Sequence, residues 1–181
     1  MLSALVLFSL LLSAQATWFP EGRCYMPTCE PTPYDLTWVS QTQNGANTIA
    51  CFLVTAKPCI DSNKFGCCSV FSNQLFKIVL SSRPACDKKV LSVYKNNTKL
   101  NGGVYFDTYH NQHSELRLTH LLIPGSKASG TMFCLTLAPP CNSIADFCIE
   151  EKSGLCKFSI YDSGAHVCCP VCYMLDKSFL Q

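Results

Sequence analysis

The sequence predicts a mainly β, disulfide-rich domain, an antiparallel sandwich or barrel-like form with at most one short helix. Three observations predict it. Short runs of β-branched and aromatic residues recur between turn signals along the whole chain. Fourteen cysteines stand among 181 residues, a density found in disulfide scaffolds of oxidising compartments. Only one short segment carries a helical signal.

The strand segments are 34–39, 48–55, 74–80, 89–94, 115–123, 131–137 and 156–161. In the fifth of these segments the side chains alternate: Leu116 and Leu118 face one side, Glu115, Arg117 and Thr119 the other. Asn44-Gly45, Asn101-Gly102-Gly103, Pro124-Gly125 and Pro139-Pro140 supply turns between runs. The helical signal is 142–148, where Asn142 or Ser143 caps a single turn carrying Ile144, Phe147 and Cys148. Two stretches are alike in outline. Cys51 opens one that passes Pro58-Cys59 and ends in Cys67-Cys68, and Cys134 opens another that passes Pro140-Cys141 and ends in Cys168-Cys169.

Residues 1–16 stand outside the fold. Met1 to Leu12 is an apolar run with no charged side chain, too short to span a bilayer, and Ala14 and Ala16 set up signal-peptidase cleavage between Ala16 and Thr17. Residues 17–181 then form one domain. All the cysteines lie in this part: Cys24, Cys29, Cys51, Cys59, Cys67, Cys68, Cys86, Cys134, Cys141, Cys148, Cys156, Cys168, Cys169 and Cys172. An even count allows complete pairing, with more than about 100,000 possible connectivities. Neighbouring Cα atoms lie about 3.8 Å apart, closer than a disulfide accepts, so neither Cys67-Cys68 nor Cys168-Cys169 closes on itself.

The formal net charge of +2, from 14 basic and 12 acidic residues, offers no nucleic-acid footprint. The tail 173–181 carries no apolar span. No G-x-S-x-G elbow or H-E-x-x-H occurs, and Gly125 to Thr131 lacks the lysine a P-loop needs. The sequence therefore names no catalytic residue, no cofactor and no metal site. Asp107, His110, His113 and Glu115, with His120 further on, have ligand chemistry but fit no recognised spacing, and are expected in a solvated loop. Cys169-Pro170-Val171-Cys172 has the C-x-x-C form, read here as structural disulfides. Asn96-Asn97-Thr98 is the one usable N-glycosylation sequon. Trp18, Tyr25, Tyr34, Trp38, Tyr105 and Tyr109 are the aromatics considered for stacking on sugar rings.

The ordered cysteine pattern resembles the pherophorin family. Phe19-Pro20 with Cys24, Thr32-Pro33-Tyr34, Cys51-Phe52, Cys67-Cys68 followed by Leu75 to Ile78, and Pro84-Ala85-Cys86 look like the first half of its domain. Met132 to Leu137, Cys141, Cys148, Cys156, Ser159 to Ser163 and Cys168-Cys169-Pro170 look like the second, so the match runs over about 19–172. Pherophorins are extracellular-matrix and cell-wall glycoproteins of volvocine green algae. The resemblance implies a secreted, non-catalytic structural or adhesive role in the matrix or wall. The partners it implies are matrix glycoproteins or polysaccharide, with possible self-association, no nucleic acid and no membrane span. The family's domains flank a hydroxyproline-rich rod, whereas the ten prolines here are scattered without a Ser-Pro or poly-Pro tract. A lectin-like saccharide-binding module and a secreted hydrolase are the alternative functions.

Overall fold

The computed structural model describes residues 19–20, 26, 28–61, 66–109, 113–148, 156–162 and 167–176. The cleavage site Ala16–Thr17, Trp18, Cys24, Tyr25 and His110 lie outside the described residues. In chain order the elements begin with β1 (Tyr34–Asn44), β2 (Asn47–Ala56), α1 (Cys67–Asn73), β3 (Gln74–Leu75) and β4 (Lys77–Ser82). There follow a 3₁₀ turn at Pro84–Cys86, β5 (Val90–Lys95), β6 (Thr98–Lys99), β7 (Val104–Tyr109), β8 (His113–Leu118) and β9 (Ile123–Pro124). Last come α2 (Gly125–Ala128), β10 (Met132–Leu137), α3 (Ile144–Phe147), β11 (Lys157–Tyr161), β12 (Val171–Tyr173) and β13 (Leu175–Asp176).

These strands make a six-stranded sheet in the order β13-β1-β2-β10-β5-β6 and a five-stranded sheet in the order β12-β11-β4-β8-β7, with a small β3–β9 ladder beside them. Pairing is antiparallel except between β1 and β13. The strand period sends alternate residues of each sheet inward. Leu36, Phe52, Val54, Phe133 and Leu135 from one sheet meet Ile78, Leu80, Leu116, Leu118, Phe158 and Ile160 from the other in one buried cluster. Phe52 and Phe133 stack at its centre, their ring centroids 5.5 Å apart. The sheets stay separate, so the chain adopts the sandwich of the two forms the sequence allowed.

Some boundaries differ from the sequence expectation for local reasons. The run 74–80 breaks at Phe76, which leaves the ladder to bond Tyr161 and Leu121, while Leu75 turns aside to pair with Ile123. The run 115–123 begins two residues earlier and ends at Leu118, because His120 and Leu122 take positive φ of 54° and 47°. Strand β7 occupies ground expected to be loop. Its Val104-Tyr105-Phe106 start has strong strand preference, and the glycines before it and the Asn and Gln after it masked that signal.

The expected turn at 142–148 is α3, where Ser143 Oγ accepts the Asp146 amide. Two further short helices exceed the single one expected. Helix α1 starts from Gly66 at φ 62°, with the Asp61 carboxylate accepting the Cys68 amide, and buries Cys67 and Phe71 one turn apart. Helix α2 packs on it so closely that a Cβ on Gly125 would lie 1.9 Å from the Ser72 carbonyl oxygen. Gly125→Ala therefore forces the two backbones apart. We expect it to lower the unfolding free energy by about 2–3 kcal/mol in urea titration; a loss under about 0.5 kcal/mol would show that this contact yields freely.

Six disulfides join the described residues: Cys29–Cys172, Cys51–Cys134, Cys59–Cys68, Cys67–Cys168, Cys86–Cys141 and Cys148–Cys156. Cys169 is disulfide-bonded as well, and no described cysteine is free. The vicinal pair Cys67-Cys68 sends its sulfurs to two different segments, tying α1 to the chain end and to the loop before it. Of the two stretches alike in outline, the opening strands β2 and β10 are neighbours bridged by Cys51–Cys134. Their second cysteines differ in connectivity, Cys59 to Cys68 but Cys141 to Cys86, so the likeness does not extend to the bonding pattern.

Candidate functional site

Both sheets carry polar side chains on their outward faces, and the two faces differ in chemistry. On the five-stranded sheet, cross-strand register sets Asp107 opposite Glu115, Tyr109 opposite His113, Val79 opposite Arg117 and Lys77 opposite Tyr161. Three of the residues with ligand chemistry, Asp107, His113 and Glu115, thus reach one face, on strands instead of the expected loop. His120 does not join them; it packs on Phe76, ring centroids 5.2 Å apart.

Arg117 takes the place between the carboxylates. Its guanidinium lies 2.8 Å from Glu115 and 3.1 Å from Asp107, contacts the Tyr109 hydroxyl and sits over the Tyr109 ring. Glu115 has no exposed surface, so the expected polar face of β8 is itself covered, in part by a second apolar cluster of Phe19, Val79, Tyr161, Cys169 and Val171. Burial is the largest single influence on Arg117 and would lower it, but the charge and hydrogen bond of Glu115, with Tyr109 and Asp107, together outweigh it and hold the guanidinium above its ordinary pKa. The Tyr161 phenol is pushed up by burial and then by the Glu115 charge. Ion pairing within the cluster neutralises its charges, an arrangement suited to fixing strands β4, β8, β7 and β11 together.

Lys77 is the titratable member. Its ammonium stands 3.6 Å above the Tyr161 ring; burial first, then Arg117, bring its pKa down to about 8, against the pull of Glu115. The folded pKa lies below the unfolded value, so a charging penalty is fully present below pH 8. It is relieved as pH rises from there toward the unfolded value of about 10.4. We expect the Lys77 amine, followed by NMR, to titrate near pH 8, and stability attributable to it to rise across that window. Titration above pH 10 would remove this account.

The outward face of the six-stranded sheet is different. Register lines up Thr42, Ile49, Thr136 and Ser92 in one row across β1, β2, β10 and β5, and Ser40, Cys51, Cys134 and Tyr94 in the next. Over these rows runs a groove of about 440 Å³ lined by Asn44, Ile49, Ser92, Tyr94, Asn97, Cys134 and Thr136. The β1–β2 turn brings Asn44 to one side, its Gly45 at φ 62° as a two-residue hairpin loop requires. The β5–β6 turn, with Asn96 and Asn97 at φ 47° and 67°, brings Asn97 to the other.

The aromatics singled out from the sequence are elsewhere. Tyr34 is buried and donates its hydroxyl to the Gly125 and Phe71 carbonyls; Trp38 packs on the core; Tyr105 is exposed on β7, and Tyr109 belongs to the arginine cluster. Tyr94, the ring in the groove, is not among them. The alternation of Ser92 and Tyr94 against the buried Val93 was the signal that marks it. In the C-x-x-C segment, Cys172 bonds Cys29, so those two sulfurs beside Asp35 are consumed as a disulfide and do not offer thiolates.

The fold and these faces define a disulfide-stapled, two-sheet β-domain whose outward polar groups serve packing on one side and line an open groove on the other. A family model described as Pherophorin matches residues 19–170, most of the chain, and the protein belongs to that family of extracellular-matrix glycoproteins. No curated protein and no solved structure matches it. Among the described residues no helix is long and apolar enough to cross a membrane.

Proposed function

We propose that the protein is a secreted matrix or cell-wall glycoprotein with a structural or adhesive role and no turnover, which associates with matrix glycoproteins or polysaccharide and with its own copies. The family match over 19–170 carries this reading, and two features support it. The described cysteines are all bridged, as an exposed extracellular life favours. Glu115 and Asp107, two carboxylates with the chemistry to move protons, are engaged by Arg117.

The proposal includes leader removal between Ala16 and Thr17 and a glycan on Asn96. Asn96 is exposed in a tight turn, and the side-chain atom bonded to the sheet is Oδ1, which accepts the Met132 amide, not the side-chain nitrogen that would carry sugar. N-terminal sequencing and glycopeptide mapping of the secreted protein test both. The role itself is tested by co-sedimentation of the oxidised protein with isolated extracellular matrix, beside a reduced and alkylated control. Retention of the oxidised form alone is expected. A protein that stays in the supernatant at low and moderate salt, and remains monomeric when concentrated, would remove the matrix role.

A further inference from the structure

The matrix reading leaves open which surface holds the polymer. We propose that the groove on the six-stranded sheet binds a neutral oligosaccharide lying across strands β1, β2, β10 and β5; the inference rests on the matrix reading only for the origin of that chain.

Its lining contains no ionisable acid, ammonium or guanidinium: Asn44, Ile49, Ser92, Tyr94, Asn97, Cys134 and Thr136 supply amides, hydroxyls, one aromatic ring and an apolar floor. A pyranose presents the same mixture, with hydroxyls around its edge and C–H groups on its faces. Tyr94 offers a ring for a sugar face. Each Asn side chain offers both a donor and an acceptor to a hydroxyl pair. Ser92 Oγ donates to Thr136 Oγ1 at 2.8 Å, which leaves the Thr136 hydroxyl proton to be given to a ligand.

The site is also held in shape before any ligand arrives. Cys51–Cys134 staples β2 to β10 beneath its middle, and paired strands carry every lining residue except Asn97, which a tight turn holds. Binding then costs little ordering of the protein. Four adjacent strands give three spacings, about 14 Å in all, a length that takes several linked rings instead of one.

Other ligand classes fit less well. A peptide adding itself to the sheet needs an open strand edge, whereas β2 and β10 are paired on both sides. An acidic sugar needs a cationic clamp, and among the described residues register places a single basic one beside these rows, Lys99, exposed opposite Tyr94 on β6.

The test uses the oxidised full-length secreted protein and Tyr94→Ala, Thr136→Lys and, as a remote exposed-aromatic control, Tyr105→Ala, each shown to melt like the wild type. Probes are neutral gluco-, manno-, galacto- and arabino-oligosaccharides of two to six units, with uronate and sulfated counterparts, screened on an array and then titrated. We expect binding to at least one neutral series that strengthens with length, weakened about tenfold or more by Tyr94→Ala and by Thr136→Lys and unchanged by Tyr105→Ala. No neutral ligand at millimolar concentration, binding confined to acidic sugars, or well-folded groove variants that bind like the wild type would each overturn the site. Matrix co-sedimentation of the same proteins separates the two readings. Equal oligosaccharide binding together with equal retention of wild type and groove variants sinks the groove and leaves the matrix role standing. Oligosaccharide binding lost in the variants, with no retention by matrix, supports the groove and sinks the matrix role.

Discussion

Replacing Cys67 and Cys168 together by alanine should lower the unfolding free energy by about 4–5 kcal/mol, enough to unfold a domain of ordinary stability at 37 °C. The bridge spans 101 residues and ties α1 to the segment before β12, so breaking it releases a large loop in the unfolded ensemble. Both sulfurs are fully buried, and truncation adds a small packing loss. The Cys59–Cys68 bridge closes only nine residues and should cost less, about 2–3 kcal/mol. Denaturant titration of the two double variants measures the difference. Equal losses would show that native contacts around the sulfurs, not loop length, set the contribution.

Arg117→Met should cost about 3–5 kcal/mol at neutral pH, because it takes the guanidinium away from a carboxylate that is fully buried. The deficit has a definite pH signature. Without its cation the buried Glu115 carboxyl has a folded pKa above the unfolded one, so its penalty is present above that folded pKa and fades as pH falls through it. The variant should therefore regain stability relative to the wild type on acidification. Glu115→Leu combined with Arg117→Met should restore most of the loss, since apolar replacement of a buried pair is often neutral. Asp107→Asn, at the exposed end of the same network, should cost under about 1 kcal/mol. Paired urea titrations at pH 7 and pH 4.5 decide the matter; an Arg117→Met deficit that does not shrink at the lower pH would rule out this electrostatic account.

The strands most legible in the sequence were those with apolar alternation and clear punctuation. Segments 48–55 and 131–137 lie within or match β2 and β10, because Phe52, Val54, Phe133 and Leu135 recur at the strand period and meet one core. Turns were legible at Asn44-Gly45 for the same local reason: the residues that tolerate positive φ stand there. Helix α1 was hidden, since Cys67-Cys68-Ser69-Val70-Phe71 carries no strong helical preference and is held by Gly66, Asp61 and its two disulfides. Likewise Asp107 and Glu115 were visible as polar residues but not as a pair gathered around Arg117, a residue singled out only for its side of the strand, and His113 reaches the same face by stacking on Tyr109.

Strand periodicity, turn residues and an ordered cysteine series are written locally and need no partner to be read, so they alone mark a mainly β, disulfide-rich chain of pherophorin type. The assembled sheets, by contrast, settle which cysteines bond, that a guanidinium sits between Asp107 and Glu115, and that Asn44, Tyr94, Asn97 and Thr136 share one groove. Those facts depend on strand order and register, and β10 lies between β2 and β5 although the chain visits β3 to β9 before it arrives. Such long-range pairing is selected by burial of the whole core, so it leaves no mark within any one segment.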